Sequence, residues 1–131
     1  DQSLTSATMG DGGVYTSPDD YSRWIRALRN NQLLDLNSVT ADLSLPIREL
    51  AGAFYSAGWF MAELSPAAFF HSGSTCGFTN FVIERPGDQL SVVFFSNIAG
   101  NESLFTAILE VLAGHGIGGL QPFMELHGLT R

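Results

Sequence analysis

The sequence predicts an α+β domain: an antiparallel sheet of about four strands, with one helix before it and one after. Three observations carry this. An amphipathic stretch with a well-marked start runs from Ser17 to Asn30. From Gly58 to Ser96 the apolar residues fall into short runs separated by turn chemistry. A second helical pattern follows from Asn101 to Gly114.

The first helix is predicted over 18–30, in SPDDYSRWIRALRNNQLL. Ser17 suits the N-cap, Pro18 the first helical position, and Asp19 and Asp20 the positive end of the helix dipole. Tyr21, Trp24, Ile25 and Leu28 follow the i, i+3, i+4, i+7 spacing of one buried face. Arg23, Arg26 and Arg29 are expected to point toward water, and Asn30-Asn31 stops the helix. Residues 32–56 have weak periodicity, with Pro46 as an interruption and room for a short helix around 37–43.

Strand character begins at Gly58. Trp59-Phe60-Met61-Ala62 and Ala67-Ala68-Phe69-Phe70 flank a turn at Ser65-Pro66. Phe78 to Arg85 and Leu90 to Ser96 flank Pro86-Gly87-Asp88, a hairpin signal. The run Leu90 to Phe95 is apolar on both faces, as expected of a central strand covered on both sides. In the last helix Asn101 is the expected cap and Glu102 sits in the first turn. Leu104, Ile108, Val111 and Leu112 share a face, and Gly114 marks the stop. Residues 1–16 read as an irregular lead-in and 115–131 as an irregular tail to one partial domain.

Composition narrows function. The chain has 131 residues, 45% of them apolar, including ten Phe. That length buries about two-thirds of the unfolded-chain surface in one domain. No apolar run approaches the ~18 residues of a membrane span, and no basic, apolar leader-type segment opens the chain. Six cations against thirteen acids leave a net charge of −7, which argues against nucleic acid as a partner and offers no basic face to anionic lipid. Cys76 is the single cysteine; it has no disulfide partner and no metal-ligand spacing, and reads as a small buried residue. All six cations are Arg and Lys is absent. A lysine base, a Schiff base or a P-loop lysine therefore cannot come from this chain.

Several motifs carry bland readings. Gly114 to Gly119 spells G-x-G-x-x-G, but the dinucleotide fingerprint opens a helix after a strand, and here the glycines close one. Asn101-Glu102-Ser103 has the form of a glycosylation sequon and reads as a helix cap. His115 and His127 have no Asp, Glu or Cys at ligand spacing.

His71-Ser72-Gly73 is different. It ends an apolar strand, it puts an imidazole beside a hydroxyl, and its glycine lets a ligand or another backbone come close. Ser74, Thr75, Cys76 and Gly77 keep the edge small. From the residues alone it is either the wall of an active site or a polar strand end.

Over roughly residues 10–114 the chain resembles the C-terminal part of the serine β-lactamase-like family, which includes class C β-lactamases, D-alanyl-D-alanine carboxypeptidases and related esterases. The resemblance lies in the order of Gly12-Gly13 with the helix that follows, Gly58-Trp59, His71-Ser72-Gly73 with Gly77-Phe78, and Phe94-Phe95-Ser96-Asn97. His71-Ser72-Gly73 is similar to the family's third motif, Lys-Thr-Gly or its His variants. The family's S-x-x-K motif cannot exist in a chain without Lys, and no Tyr-x-Asn is present.

The resemblance implies the C-terminal half of a β-lactamase-like fold, with the nucleophile upstream of Asp1. It implies hydrogen bonding or positive charge from His71, substrate hydrogen bonding by Ser72, room at Gly73, and an oxyanion-hole N–H at Ser74. It implies a small-molecule or peptide substrate carrying a carbonyl, no cofactor or metal, and a bacterial periplasmic or secreted setting. The chain alone is expected to be inactive. Exposed apolar surface favours self-association or association with the missing half. A ligand-binding module without catalysis and an assembly module on the same fold are the competing expectations.

Overall fold

The computed structural model describes residues 12–35, 38, 45–46, 53–62 and 68–118. The Ser65-Pro66 turn, nearly all of the possible helix around 37–43, and most of the lead-in and tail lie outside them. The first helix, α1, spans Pro18–Arg29. Its cap is as the sequence predicts: the Asp20 backbone N–H donates to Ser17 Oγ at 3.1 Å, which satisfies one of the orphan donors of the first turn.

Among the described residues, six strands form one antiparallel sheet in simple sequential order: β1 (Leu45–Pro46), β2 (Ala53–Ser56), β3 (Trp59–Ala62), β4 (Ala68–Thr75), β5 (Phe78–Arg85) and β6 (Leu90–Ser96). The second helix, α2, follows at Glu102–Gly114. The expected α+β order holds. β3, β5 and β6 fall on the predicted runs, whereas β4 runs past its expected end at Phe70 to Thr75, because β5 pairs with it that far. The other two, β1 and β2, come from the segment whose periodicity is weak.

Two of the described hairpins turn on the same backbone conformation. Ala57-Gly58 and Cys76-Gly77 each place two successive residues at positive φ, 50° and 83°, then 50° and 87°. Two left-handed residues in a row make a type I′ loop, whose twist matches that of the flanking strands. Cys76 is therefore at an exposed turn, not buried as its residue type suggested. Asn tolerates this backbone better than Cys. Cys76→Asn is thus expected to stabilise the chain by up to about 1 kcal/mol, read as a higher thermal midpoint; a lower midpoint would contradict the turn assignment.

The helices cover opposite faces. Under α2, Phe70, Phe81, Ile83, Phe105 and Leu109 form one core cluster, joined by Phe60, Val92 and Phe94. Under α1, Ile25, Leu28, Trp59 and Val82 form the other, joined by Tyr21, Met61, Phe69, Val93 and Phe95. β5 contributes to both clusters, and Ile83 is fully buried.

The apolar run Leu90–Phe95 lies in β6, the last strand in the order. Its two-faced character comes from helix cover rather than a central place: Val92 and Phe94 turn toward α2, Val93 and Phe95 toward α1. The buried stripe of α2 also differs from the expected one. Phe105 and Leu109 go inside with Ile108 and Leu112, while Leu104 and Val111 stay exposed. Trp24 is likewise 42% exposed, its ring stacked on Trp59 with centroids 6.3 Å apart.

The ends of α2 correct two local expectations. Asn101 occupies the N-cap without a side-chain cap bond; its Nδ2 donates instead to Ser96 Oγ at 3.1 Å, tying the helix to β6. At the other end Gly114 is still helical, and Gly116, at φ 79°, is the left-handed residue. The Ile117 N–H donates to Leu112 O and the Gly116 N–H to Ala113 O, the paired bonds of a Schellman stop. The glycines of the G-x-G-x-x-G string that are described here end a helix. No helix among the described residues is long and apolar enough to cross a membrane.

Arg29 does not point to water. Its Nη2 donates to Glu84 Oε2 at 2.6 Å and to Ser91 Oγ at 2.7 Å, and Ser91 Oγ also donates to Glu84 Oε2 at 2.7 Å. Glu84 is 4% exposed and borders a pocket lined by Ile25, Leu28, Trp59, Phe69 and Pro86. Burial pushes its carboxyl above the ordinary value, while the hydrogen bonds from Ser91 and Arg29 and the Arg29 charge pull it back. Burial, with the Glu84 charge, also raises the Tyr21 phenol. The cluster joins the C-terminal end of α1 to β5 and β6.

Candidate functional site

β4 carries the residues that the sequence singles out. It begins in the core, with Ala68 and Phe70 buried, passes through half-buried His71 and Ser72, and emerges at Gly73, Ser74 and Thr75. The reason is register. β3 pairs with β4 only from Ala68 to Phe70, whereas β5 pairs with it all the way to Thr75. The stretch from His71 to Thr75 is therefore held by β5 alone of the two flanking strands.

His71, Ser72, Gly73 and Ser74 are consecutive on this stretch, opposite Val82, Phe81, Asn80 and Thr79. A Cβ built on Gly73 would meet nothing within 4 Å. The space beside that backbone is open, and the rest of the described chain does not fill it. The regular ladder with β5 keeps this backbone extended, so the N–H and C=O groups of the strand have fixed directions.

The imidazole of His71 has neighbours that sequence reasoning missed. Its ring centroid lies 5.6 Å from that of Phe60 and 6.3 Å from that of Tyr55. Its Nε2 is 3.5 Å from the Tyr55 hydroxyl. Tyr55 comes from β2, reached through the Ala57-Gly58 reversal, which sets Tyr55 opposite Phe60. The signal was present in Tyr55-Ser56-Ala57-Gly58-Trp59: a small-Gly pair between aromatic residues is a hairpin pattern.

The site is thus a strand end with a half-buried imidazole at its inner limit, a serine following it in the strand, and open backbone beyond. Such an arrangement can donate hydrogen bonds to a ligand laid along the strand. It holds no serine with a lysine partner, because the chain has no Lys. Among the described residues no group of three His, Cys, Asp or Glu is placed to hold a metal ion.

Comparison with known proteins adds one match. The model of the family described as beta-lactamase matches residues 1–115. No curated protein and no solved structure matches the chain.

Proposed function

The chain belongs to the beta-lactamase family, and from that premise we propose that it supplies the substrate-facing strand of a serine hydrolase whose nucleophile lies upstream of Asp1. The observation that supports this best is the way β4 outruns β3. From His71 to Thr75 it keeps its β5 ladder and its extended shape, and it leaves open space at Gly73.

In this reading His71 donates a hydrogen bond, or places positive charge, beside the substrate and the attacking serine. Ser72 hydrogen-bonds the substrate. Gly73 lets the substrate lie against the strand. The backbone N–H of Ser74 is one donor to the oxyanion, and the N–H of the serine itself is the other. The serine oxygen attacks the carbonyl carbon of an amide, ester or lactam. The carbonyl π electrons move to oxygen and return as the leaving amine or alcohol departs with a proton. Water then attacks the acyl-enzyme, and the serine regains its proton as the acid is released. A histidine in the place of the third motif's lysine resembles the carboxypeptidase and esterase branches more than the typical class C β-lactamase. The chain alone binds through β4 without turnover and associates with its missing portion.

The test is a comparison of this chain with the full reading frame that includes the residues before Asp1. The longer protein is expected to hydrolyse a chromogenic ester or β-lactam with a burst of acyl-enzyme, and the chain alone is not. In the longer protein His71→Ala is expected to lower kcat/KM by about 100-fold. Ligand binding without any acyl-enzyme would overturn the hydrolase reading in favour of a binding module. Tight association without ligand or acylation would favour an assembly module.

A further inference from the structure

We propose that Tyr55 is a positioning residue for His71, and that its hydroxyl decides which imidazole nitrogen carries the proton. This rests on the reading of β4 given above and deepens it, by stating how the histidine of that strand is presented to a ligand.

Tyr55 is well placed to set a direction because it is itself held. Its ring meets Phe60 edge-on, with centroids 4.7 Å apart. Phe60 in turn lies nearly parallel to Phe70, at 5.5 Å and 14°, and Phe70 belongs to the buried cluster under α2. The hydroxyl is therefore fixed through two rings to the core. It faces Nε2 of His71 at 3.5 Å, the long end of hydrogen-bond range. Contacts of this kind shorten when a ligand completes a site.

A phenol O–H can donate, and a neutral imidazole has one donor and one acceptor nitrogen. The partner at one nitrogen selects the tautomer for the other. With the Tyr55 O–H donating to Nε2, neutral His71 carries its proton on Nδ1. The ring then offers Nδ1–H as its donor, which is the capacity the strand's proposed role calls for. Phe60 and Tyr55 together hold the ring plane, so the donor direction is set before a ligand arrives. No residue with a fixed positive charge is required for this.

The experiment is a long-range proton–nitrogen NMR spectrum of the 15N-histidine-labelled chain, at a pH where its three imidazoles are neutral. His71→Gln assigns the His71 signals. The expected result is a protonated Nδ1 and an unprotonated Nε2 at His71. In Tyr55→Phe, which keeps the ring on Phe60 and removes the hydroxyl, the population is expected to invert toward the Nε2–H form that predominates in a free histidine side chain. A His71 already in the Nε2–H form in the unmodified chain would overturn the proposal. So would a tautomer population unchanged by Tyr55→Phe in a variant whose amide spectrum shows the fold retained. If that variant fails to fold, the unmodified chain's tautomer alone decides. No turnover is measured, so failure of the hydrolase assay and failure of this inference are separate results.

Discussion

Phe81→Ala is expected to destabilise the fold by about 3–5 kcal/mol, a large part of the stability of any small domain. Phe81 sits on β5 at 2% exposure, between the sheet and α2. Its ring stacks on Phe94 at 4.8 Å and meets Phe105 at 3.6 Å between centroids. Truncation removes the transfer free energy of a whole ring and leaves a cavity that two strands and a helix cannot easily close. Because α2 touches the sheet through this cluster, the helix should loosen with it. Leu104→Ala is the control: Leu104 is an apolar residue of the same helix that stays 46% exposed, and its loss should stay within about 0.5 kcal/mol. Urea unfolding of both variants measures the difference. Similar midpoints would mean that the buried stripe of α2 is not the one described here.

The contrast between those two residues shows where sequence reading succeeds and where it stops. Ser17, Pro18 and the two aspartates act within one helical turn, so the start of α1 can be read from four adjacent letters. The turn Pro86-Gly87-Asp88 is local in the same way, and β5 and β6 fall at the expected residues. The face of α2 is different. Leu104, Ile108, Val111 and Leu112 satisfy a helical stripe, and so do Phe105, Ile108, Leu109 and Leu112. Periodicity cannot choose between stripes when most of a helix is apolar. The sheet chooses, because only the second stripe brings Phe105, the one aromatic residue of the helix, onto Phe81. Likewise Arg29 looks like a solvent-facing residue at a helix end until its partner is known, and that partner is 55 residues away in the chain.

The candidate site divides in the same manner. His71, Ser72, Gly73 and Ser74 are contiguous, so their chemistry is visible in the string itself. What makes them a strand end rather than a strand middle is that β3 pairs with β4 no further than Phe70, and that depends on register. Tyr55 precedes His71 by 16 residues and is brought beside it by two strand reversals. One of these, Ala57-Gly58, follows the short β2, whose four residues are too few to show alternation. The side chains that carry a motif can thus be legible while those that orient it are not.

Arg29→Ala is expected to cost about 3 kcal/mol at neutral pH, because it removes one partner of a buried ion pair and leaves the other charged. Arg29 is only partly buried, its side chain 21% exposed against 6% for Glu84, which places the cost at the low end for such a pair. The carboxylate has little else to turn to. Ser91 still donates to Oε2, but Oε1 is buried with no hydrogen-bond partner among the described residues. The pH dependence identifies the cause. Glu84 already has its carboxyl raised by burial, against the downward pull of Ser91 and Arg29. Removing Arg29 takes away a hydrogen bond and a charge that favour ionisation, so the folded-state value rises further. Between the ordinary carboxylate value and that raised value, the folded state binds more protons than the unfolded one. Stability in this window therefore falls as pH rises and recovers as pH falls. The deficit of Arg29→Ala relative to the unmodified chain should be greatest at neutral pH and shrink in mild acid. Glu84→Gln combined with Arg29→Met, which removes both charges, should regain most of the loss at neutral pH. Denaturant unfolding at a series of pH values gives the answer. A deficit that stays constant, or grows in acid, would show that Arg29 holds α1 to the sheet by packing and not by neutralising Glu84.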